Sequence, residues 1–150
     1  MDVASYGSYL ANAIQEYANE KTRAGHWHPD QALRQSREAY AKLLPHGIAT
    51  PDNYLMHVND LETSTVVGAI WFHQQRQGVI SSIWIYDILI YEEYRRRGYG
   101  GQTMNLLEEE ARKLGAAKIE LHVFNHNPTA VSLYKKQGYQ ITSLNMQKSI

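Results

Sequence analysis

The sequence contains no cysteine among its 150 residues. This absence excludes disulfide scaffolds, Cys-ligated zinc, iron–sulfur clusters and cysteine nucleophiles, and it fits a reducing compartment. An excess of one charge is missing as well, because fifteen Lys and Arg balance fifteen Asp and Glu. There is therefore no overall basic field that would drive non-specific nucleic-acid binding, and any anion site must be local.

Long apolar runs are also missing. The longest, 66–72 and 83–90, are far shorter than the ~20 residues that a membrane span requires, and the second contains Asp87. The N-terminal residues include neither a basic region nor an apolar stretch typical of a secretion signal. These absences predict a cytoplasmic protein that does not enter a membrane.

The amino-acid composition is typical of a folded domain, with 43% hydrophobic and 11% aromatic residues. A chain of this length buries roughly 70% of its unfolded surface, so that a core forms without metal or crosslinks. We expect a single domain over 1–150.

Hydrophobic periodicity predicts the elements of this domain. Helical spacing predicts a first helix over 3–24 and a second from Pro29 to Pro45. Runs rich in β-branched and aromatic residues predict three antiparallel strands over 54–58, 65–73 and 79–91. The third strand is almost continuously apolar, which is typical of a central strand covered on both faces.

The second half returns to helical spacing at Gly98. The predicted elements there are a helix that stops at Gly115, a strand over 118–124, a helix over 128–137 and a final strand over 139–147. The order ααβββαβαβ predicts an α/β fold, a mixed central sheet with helices on both faces. In it, residues 79–124 form a right-handed crossover between parallel strands.

The segment 94–101, YRRRGYGG, joins the long strand to a helix. The first N–H groups of a helix have no partners within the helix, and glycines allow a phosphate to approach the backbone. The neighbouring arginines add charge-assisted donors. The junction therefore predicts a diphosphate site.

Two other phosphate-binding motifs compete for the residues of this segment. A P-loop is excluded because the chain has no G-x-x-x-x-G-K-[ST] string. The dinucleotide fingerprint fits Gly98 and Gly100, with Glu120 about where a ribose ligand is expected, but the third glycine is replaced by Thr103. A dinucleotide-binding module is therefore the weaker alternative.

The string RRRGYG at 95–100, placed after a strand, resembles the acetyl-CoA-binding motif of the GNAT superfamily of N-acetyltransferases. The string NPTAVSLYKKQGY at 127–139 resembles that superfamily's C-terminal helix, and the two cover about 79–140. The N-terminal half, around 20–27 and 43–47, is similar to a bacterial branch of the superfamily. Almost no room is left before the first helix for the short first strand that is common in the superfamily.

This resemblance implies a GNAT-like fold and the transfer of an acetyl group from acetyl-CoA to a primary amine by direct attack. Ile88, Leu89 and Ile90 would run beside the pantetheine and acetyl group, with a backbone N–H near Leu89 polarising the thioester carbonyl. The other residues implied to contact coenzyme A are Arg95, Arg96, Arg97, Gly98, Tyr99, Gly100, Gly101, Asn127 and Tyr134. The implied partners are acetyl-CoA and an amine, with no nucleic acid or membrane, and a homodimer is compatible with the resemblance.

Two catalytic roles are implied. Tyr134 would protonate the departing thiolate, since a phenol with a pKa near ~10 is protonated at neutral pH. His122 occupies the place where some relatives carry a Glu base, and an imidazole with a pKa near ~6.5 is suited to accept the proton of the amine. Asp87, Glu92 and a water chain are competing bases.

The resemblance also implies that the connection between the first two helices covers the acceptor pocket, with Trp27, Tyr86 and Asp87 as candidate substrate-binding residues. No metal site is expected, because His122 and His126 lack a nearby carboxylate pattern. A non-catalytic domain that binds or senses acyl-CoA is the alternative function, although such a domain has no need for the Tyr134 phenol.

Overall fold

The computed structural model describes residues 1–148 and 150. Its elements, in order, are α1 (Val3–Arg23), α2 (Pro29–Leu43), β1 (Asn53–Asn59), β2 (Val66–Gln77), β3 (Ile80–Ile90), α3 (Tyr99–Lys113), β4 (Ala116–Leu121) and α4 (Pro128–Lys136). Since α1 begins at Val3, no strand precedes it in the described chain.

Capping residues set the ends of the two N-terminal helices. The Asp2 carboxylate accepts a hydrogen bond from the Ser5 N–H at 2.7 Å at the start of α1. Gly25 follows the end of that helix with a φ of 71°, a conformation that glycine adopts without a steric penalty. Pro29 lies in the first turn of α2, where its missing N–H costs nothing.

The described residues form a sheet of four strands in the order β1-β2-β3-β4. β1, β2 and β3 pair antiparallel, whereas β3 and β4 pair parallel. The chain therefore crosses from β3 to β4 through α3, as the sequence predicted, and β3 is an inner strand.

Helices cover both faces of the sheet. On one face α1 and α2 pack on Leu55 and Trp71, and on the other α3 packs Met104 and Leu107 against Phe72. The predicted mixed sheet with helices on both faces is confirmed.

Two predictions near the C-terminus are wrong. β4 ends at Leu121 rather than at Phe124. Residues 139–148 form no strand, and Ile141 and Met146 are 62% and 93% exposed. An apolar run becomes a strand only where a neighbouring backbone pairs with it, and this segment instead reaches the end of α1, where the Gln147 side chain donates to the Ala24 carbonyl at 3.3 Å.

Candidate active site

The sheet opens between β3 and β4. The last paired residues are Ile85 and Leu121, yet β3 continues to Ile90. Residues 86–90 therefore have no strand partner on their β4 side within the described chain. We call this side the open edge of β3.

Backbone N–H groups along β3 point alternately towards β2 and towards the opposite side, which determines the amides that face the open edge. The Tyr91 N–H donates to the Val67 carbonyl of β2 at 2.9 Å, and residues two apart on a strand point their backbone groups to the same neighbour. The Leu89 amide consequently faces β2. The N–H groups on either side of it, those of Ile88 and Ile90, face the open edge, and the Ile88 N–H is also hydrogen-bonded to the Asp87 carboxylate. The donor expected near Leu89 stays a prediction.

A β-bulge turns two consecutive side chains towards the helices. Asp87 is opposite Trp71 and Ile85 is opposite Phe72, which leaves Tyr86 as the extra residue. The Tyr86 ring stacks on Trp71 with 4.4 Å between centroids. A bulge re-aims side chains that would otherwise alternate between the two faces of a sheet.

Asp87 is held from the α1 side. Its carboxylate accepts a hydrogen bond from the Tyr9 hydroxyl at 2.8 Å. Burial raises the pKa of Asp87, and the hydrogen bonds from Tyr9 and from the Ile88 backbone act in the opposite direction. Tyr9 was not predicted as a site residue, because it lies far from Asp87 in the sequence and has no feature that distinguishes it from other helix residues.

The turn between β3 and α3 leaves the start of α3 uncapped. Gly98 is the N-cap with a φ of 86°, and no side chain caps the helix there. Arg96 also has a positive φ, 61°. The first N–H groups of α3 therefore remain available as anion donors, and the exposed side chains of Arg96 and Arg97 lie beside them.

Other residues of this turn have structural contacts. The Arg95 Nε donates to the Ile90 carbonyl at 2.9 Å, which ties the turn to the end of β3. The Tyr99 hydroxyl is hydrogen-bonded to Asp60 in the β1–β2 connection. A Cβ added to Gly100 would lie 3.2 Å from the Leu133 side chain, so this glycine also allows α3 and α4 to approach each other.

Two predicted residues lie on α4. The Asn127 side-chain oxygen accepts a hydrogen bond from the Ala130 N–H at 3.1 Å and caps the helix, while its amide nitrogen is left as a donor. Tyr134 packs against the core beneath α3. Burial, and to a smaller extent the charge of Asp87, raises the pKa of Tyr134 to about 12.

His122 lies directly after β4 rather than within a strand. Its ring meets the edge of Phe124 with 4.8 Å between centroids. Partial desolvation lowers the pKa of His122, followed by the positive charges of Lys21 and His26. Glu92 lies in the exposed turn after β3.

Trp27 lies in the α1–α2 connection, where its ring meets Tyr17 edge-on at 5.3 Å. Tyr40 and Trp71 continue this aromatic contact to Tyr86, with centroid distances of 6.0 Å from Tyr17 to Tyr40 and 5.5 Å from Tyr40 to Trp71. Trp27 and Tyr86 thus belong to one aromatic layer between the helices and the sheet.

Residues 1–148 and 150 contain no cluster of three or more His, Asp or Glu side chains arranged to hold a metal ion. Within the same residues, every helix is too short or too polar to cross a membrane.

The matches to known proteins include the open edge of β3 and the turn before α3. Residues 26–139 match the model of the acetyltransferase (GNAT) family. The chain is 37% identical to YycN, an uncharacterized N-acetyltransferase of Bacillus subtilis, over 100% of this chain and 96% of YycN. The crystal structure of YycN superposes with a TM-score of 0.94, covering 100% of this chain and 95% of that one.

A second similar protein has a named substrate. An L-ornithine N5-acetyltransferase of Arabidopsis thaliana is 28% identical over 96 residues, which are 63% of this chain and 42% of the plant protein.

Proposed function

The chain belongs to the acetyltransferase (GNAT) family, and from this premise we propose that it transfers the acetyl group of acetyl-CoA to a primary amine. The family uses acetyl-CoA as co-substrate. The observation that carries the proposal is the uncapped start of α3, with Arg96 and Arg97 beside it, adjoining the open edge of β3. We also propose that residues 1–150 act as one catalytic domain, since both halves contribute to this region.

Coenzyme A binding in this proposal uses backbone groups. The N–H groups of the first turn of α3, including those of Gly100 and Gly101, hold the diphosphate, because an uncapped helix N-terminus attracts anions. Arg96 and Arg97 add charge-assisted hydrogen bonds. Arg95 keeps the turn in place through its bond to the Ile90 carbonyl.

The open edge of β3 and the α4 cap hold the rest of the molecule. The N–H groups of Ile88 and Ile90 line the pantetheine arm, and that of Ile90 donates to the thioester carbonyl as charge develops on it, since the Ile88 N–H is bonded to Asp87. The Asn127 amide nitrogen donates to the same arm, since its oxygen is used to cap α4. Bound acetyl-CoA supplies the activated acetyl thioester.

Proton transfer is divided between two side chains. Tyr134 donates its hydroxyl proton to the departing sulfur, and its raised pKa keeps that proton in place until the thiolate forms. His122 accepts a proton from the acceptor ammonium, because its lowered pKa leaves the imidazole neutral at pH 7. Asp87 and Glu92 are the alternative bases.

The acceptor reaches this site beside Trp27, Tyr86 and Asp87. The α1–α2 connection carries Trp27, and the bulge turns the other two towards the same helices. The plant relative that acts on L-ornithine supports an amine acceptor.

Titration calorimetry with acetyl-CoA, CoA and NAD, followed by a thiol-release assay with a panel of amines, tests this function. We expect acetyl-CoA and CoA to bind, NAD not to bind, and thiol to appear only when an amine is present. Acetyl-CoA binding without thiol release from any amine would instead indicate a domain that senses acyl-CoA. Binding of NAD alone would indicate a dinucleotide module.

A further inference from the structure

The Lys21 ammonium lies over three aromatic rings that come from separate parts of the chain. Its Nζ is 5.4 Å from the ring centroid of Tyr17 in α1, 5.6 Å from that of Trp27 and 5.8 Å from that of Phe124. We call Lys21 and these three rings the Lys21 cluster. Three rings that converge on one ammonium hold it in a defined position at the end of α1.

The rings position this charge without neutralising it. An aromatic face attracts a cation through its quadrupole but carries no net charge. Among the described residues, no carboxylate lies within ion-pair distance of Lys21. The adjacent Glu20 is bound instead to His126 and, at 3.4 Å, to Arg23. The ammonium therefore retains its capacity to pair with an anion.

The Lys21 cluster lies beside the proposed base. Phe124 contacts His122 edge-on at 4.8 Å and stacks on His126 at 5.2 Å. His26 lies 6.2 Å from the same ring. A fixed positive charge is thus placed next to the group that accepts the proton of the amine.

The charges of this region favour an anion over a second cation. The Lys21 ammonium and three histidines lie around Phe124. Glu20, the neighbouring carboxylate, pairs with His126 and with Arg23. An acceptor with two ammonium groups would bring one of them against Lys21, and like charges in a partly desolvated site repel.

We propose that Lys21 binds a carboxylate of the acceptor, so that the substrate is an amine that also carries a carboxylate, as a free amino acid does. The inference rests on the proposed function and adds the class of acceptor to it. Trp27 and Phe124 hold the ammonium for that carboxylate, while the amine lies towards His122 and the open edge of β3.

Pairs of acceptors that differ by one carboxylate test this inference. L-Lysine and 1,5-diaminopentane form one pair, L-ornithine and 1,4-diaminobutane a second, and L-tyrosine and tyramine a third. Binding to the CoA-loaded protein is measured by calorimetry. We expect the carboxylated member of at least one pair to bind about tenfold more tightly or better, because a hydrogen bond between an ammonium and a carboxylate is stronger than one between neutral groups.

Variants of Lys21 separate the carboxylate contact from a packing role. Lys21→Met keeps an apolar chain on the rings and should abolish the preference, whereas Lys21→Arg should retain it. Lys42→Met, at the exposed end of α2, serves as a matched control that keeps the preference. Unchanged affinity for CoA in each variant shows that the fold is intact.

Equal or tighter binding of the decarboxylated member in every pair would overturn the inference, and so would a preference that persists in Lys21→Met. Turnover is measured separately by thiol release. A binding preference without acetylation of any member would support the carboxylate site and overturn the proposed transfer to amines.

Discussion

At the scale of single residues, the surroundings of Tyr134 raise the pKa of its hydroxyl. Its ring lies 5.8 Å from that of Tyr139 in the same core, and burial raises the pKa of both phenols. The charge of Asp87 acts on Tyr134 as well. These conditions keep the Tyr134 hydroxyl protonated at neutral pH, as the proposed role of proton donor requires.

Tyr134→Phe should reduce kcat by about 10²- to 10⁴-fold, the usual contribution of a positioned acid. The affinity for acetyl-CoA should change little, because the ring remains. Tyr139→Phe is the matched control, since it removes a neighbouring buried hydroxyl that has no hydrogen-bond partner in the described chain. Normal turnover by Tyr134→Phe, measured as thiol release, would remove the tyrosine from the mechanism.

His122 should determine the acidic limb of the pH profile. Its pKa lies below the ordinary 6.5, and the imidazole accepts a proton only when neutral. The value of kcat/KM should therefore rise with pH through an inflection below about 6.5 and level off above it. His122→Gln should remove this inflection, whereas His46→Gln, at a distant exposed position, should keep it. An inflection that persists in His122→Gln transfers the role to Asp87, Glu92, water or the amine itself.

At the scale of elements, β2 and β3 approach each other closely beside the open edge of β3. A Cβ added to Gly68 would lie 2.1 Å from the Leu89 carbonyl oxygen and 3.2 Å from the Ile90 Cα. Both are backbone atoms, so a side chain at this position must separate the two strands next to the open edge.

Gly68→Ala should lower the free energy of unfolding by about 1–3 kcal/mol, the usual cost of overpacking. It should also weaken acetyl-CoA binding. Gly7→Ala is the control, because nothing lies within 4 Å of the added Cβ, and the exposed helical position should gain about 0.5–1 kcal/mol. Urea unfolding measures both changes. A Gly68→Ala protein as stable as the wild type would contradict the close strand contact.

The turn before α3 should contribute a salt-dependent part of the affinity for acetyl-CoA. Arg96→Gln and Arg97→Gln should each weaken binding at low ionic strength by up to about tenfold, and the difference should shrink in high salt because exposed charges are screened. Arg112→Gln, at the other end of α3, should have no effect. A loss of affinity that is independent of salt would mean that these arginines act by shape rather than by charge. Gly100 is a less suitable position for this test, since its substitution would press on Leu133.

Several elements could be predicted because their signals are local. Gly25, Pro29 and Gly115 mark helix boundaries, and the β-branched runs before and after Gly78 mark β2 and β3. The bulge at Tyr86 could not be predicted, because it arises from the register between two strands. The strand over 139–147 was predicted from composition, yet it requires a neighbouring backbone that this segment does not meet.

At the scale of the whole molecule, the site combines segments that are distant in sequence. Tyr9 reaches Asp87 across 78 positions, and Glu20 reaches His126 across 106. From the resemblance, the motifs at 95–100 and 127–139 could be assigned to a coenzyme A site, which stays a prediction. Lys21 and Tyr9 could not, because nothing in α1 indicates which residues of the sheet it meets.

The same long-range contacts bring the two halves of the chain together, and each half has a separate proposed role in binding. The turn before α3 and the start of α4 provide the backbone donors proposed for coenzyme A, and α1 with the α1–α2 connection provides the side chains proposed for the acceptor. The open edge of β3 lies between the two groups. The proposed direct attack of the amine on the acetyl group requires both substrates to be bound at once, and the two groups of residues lie on either side of this edge.

Mass spectrometry of a reaction with [13C]acetyl-CoA tests this central claim most directly. With an amine present, the label should appear on the amine in step with the release of CoA, and without an amine the protein should carry no labelled acetyl group. An acetylated protein that forms first and then loses its label to the amine would contradict direct attack. Absence of labelled amine with every acceptor, despite acetyl-CoA binding, would contradict the acetyl transfer itself.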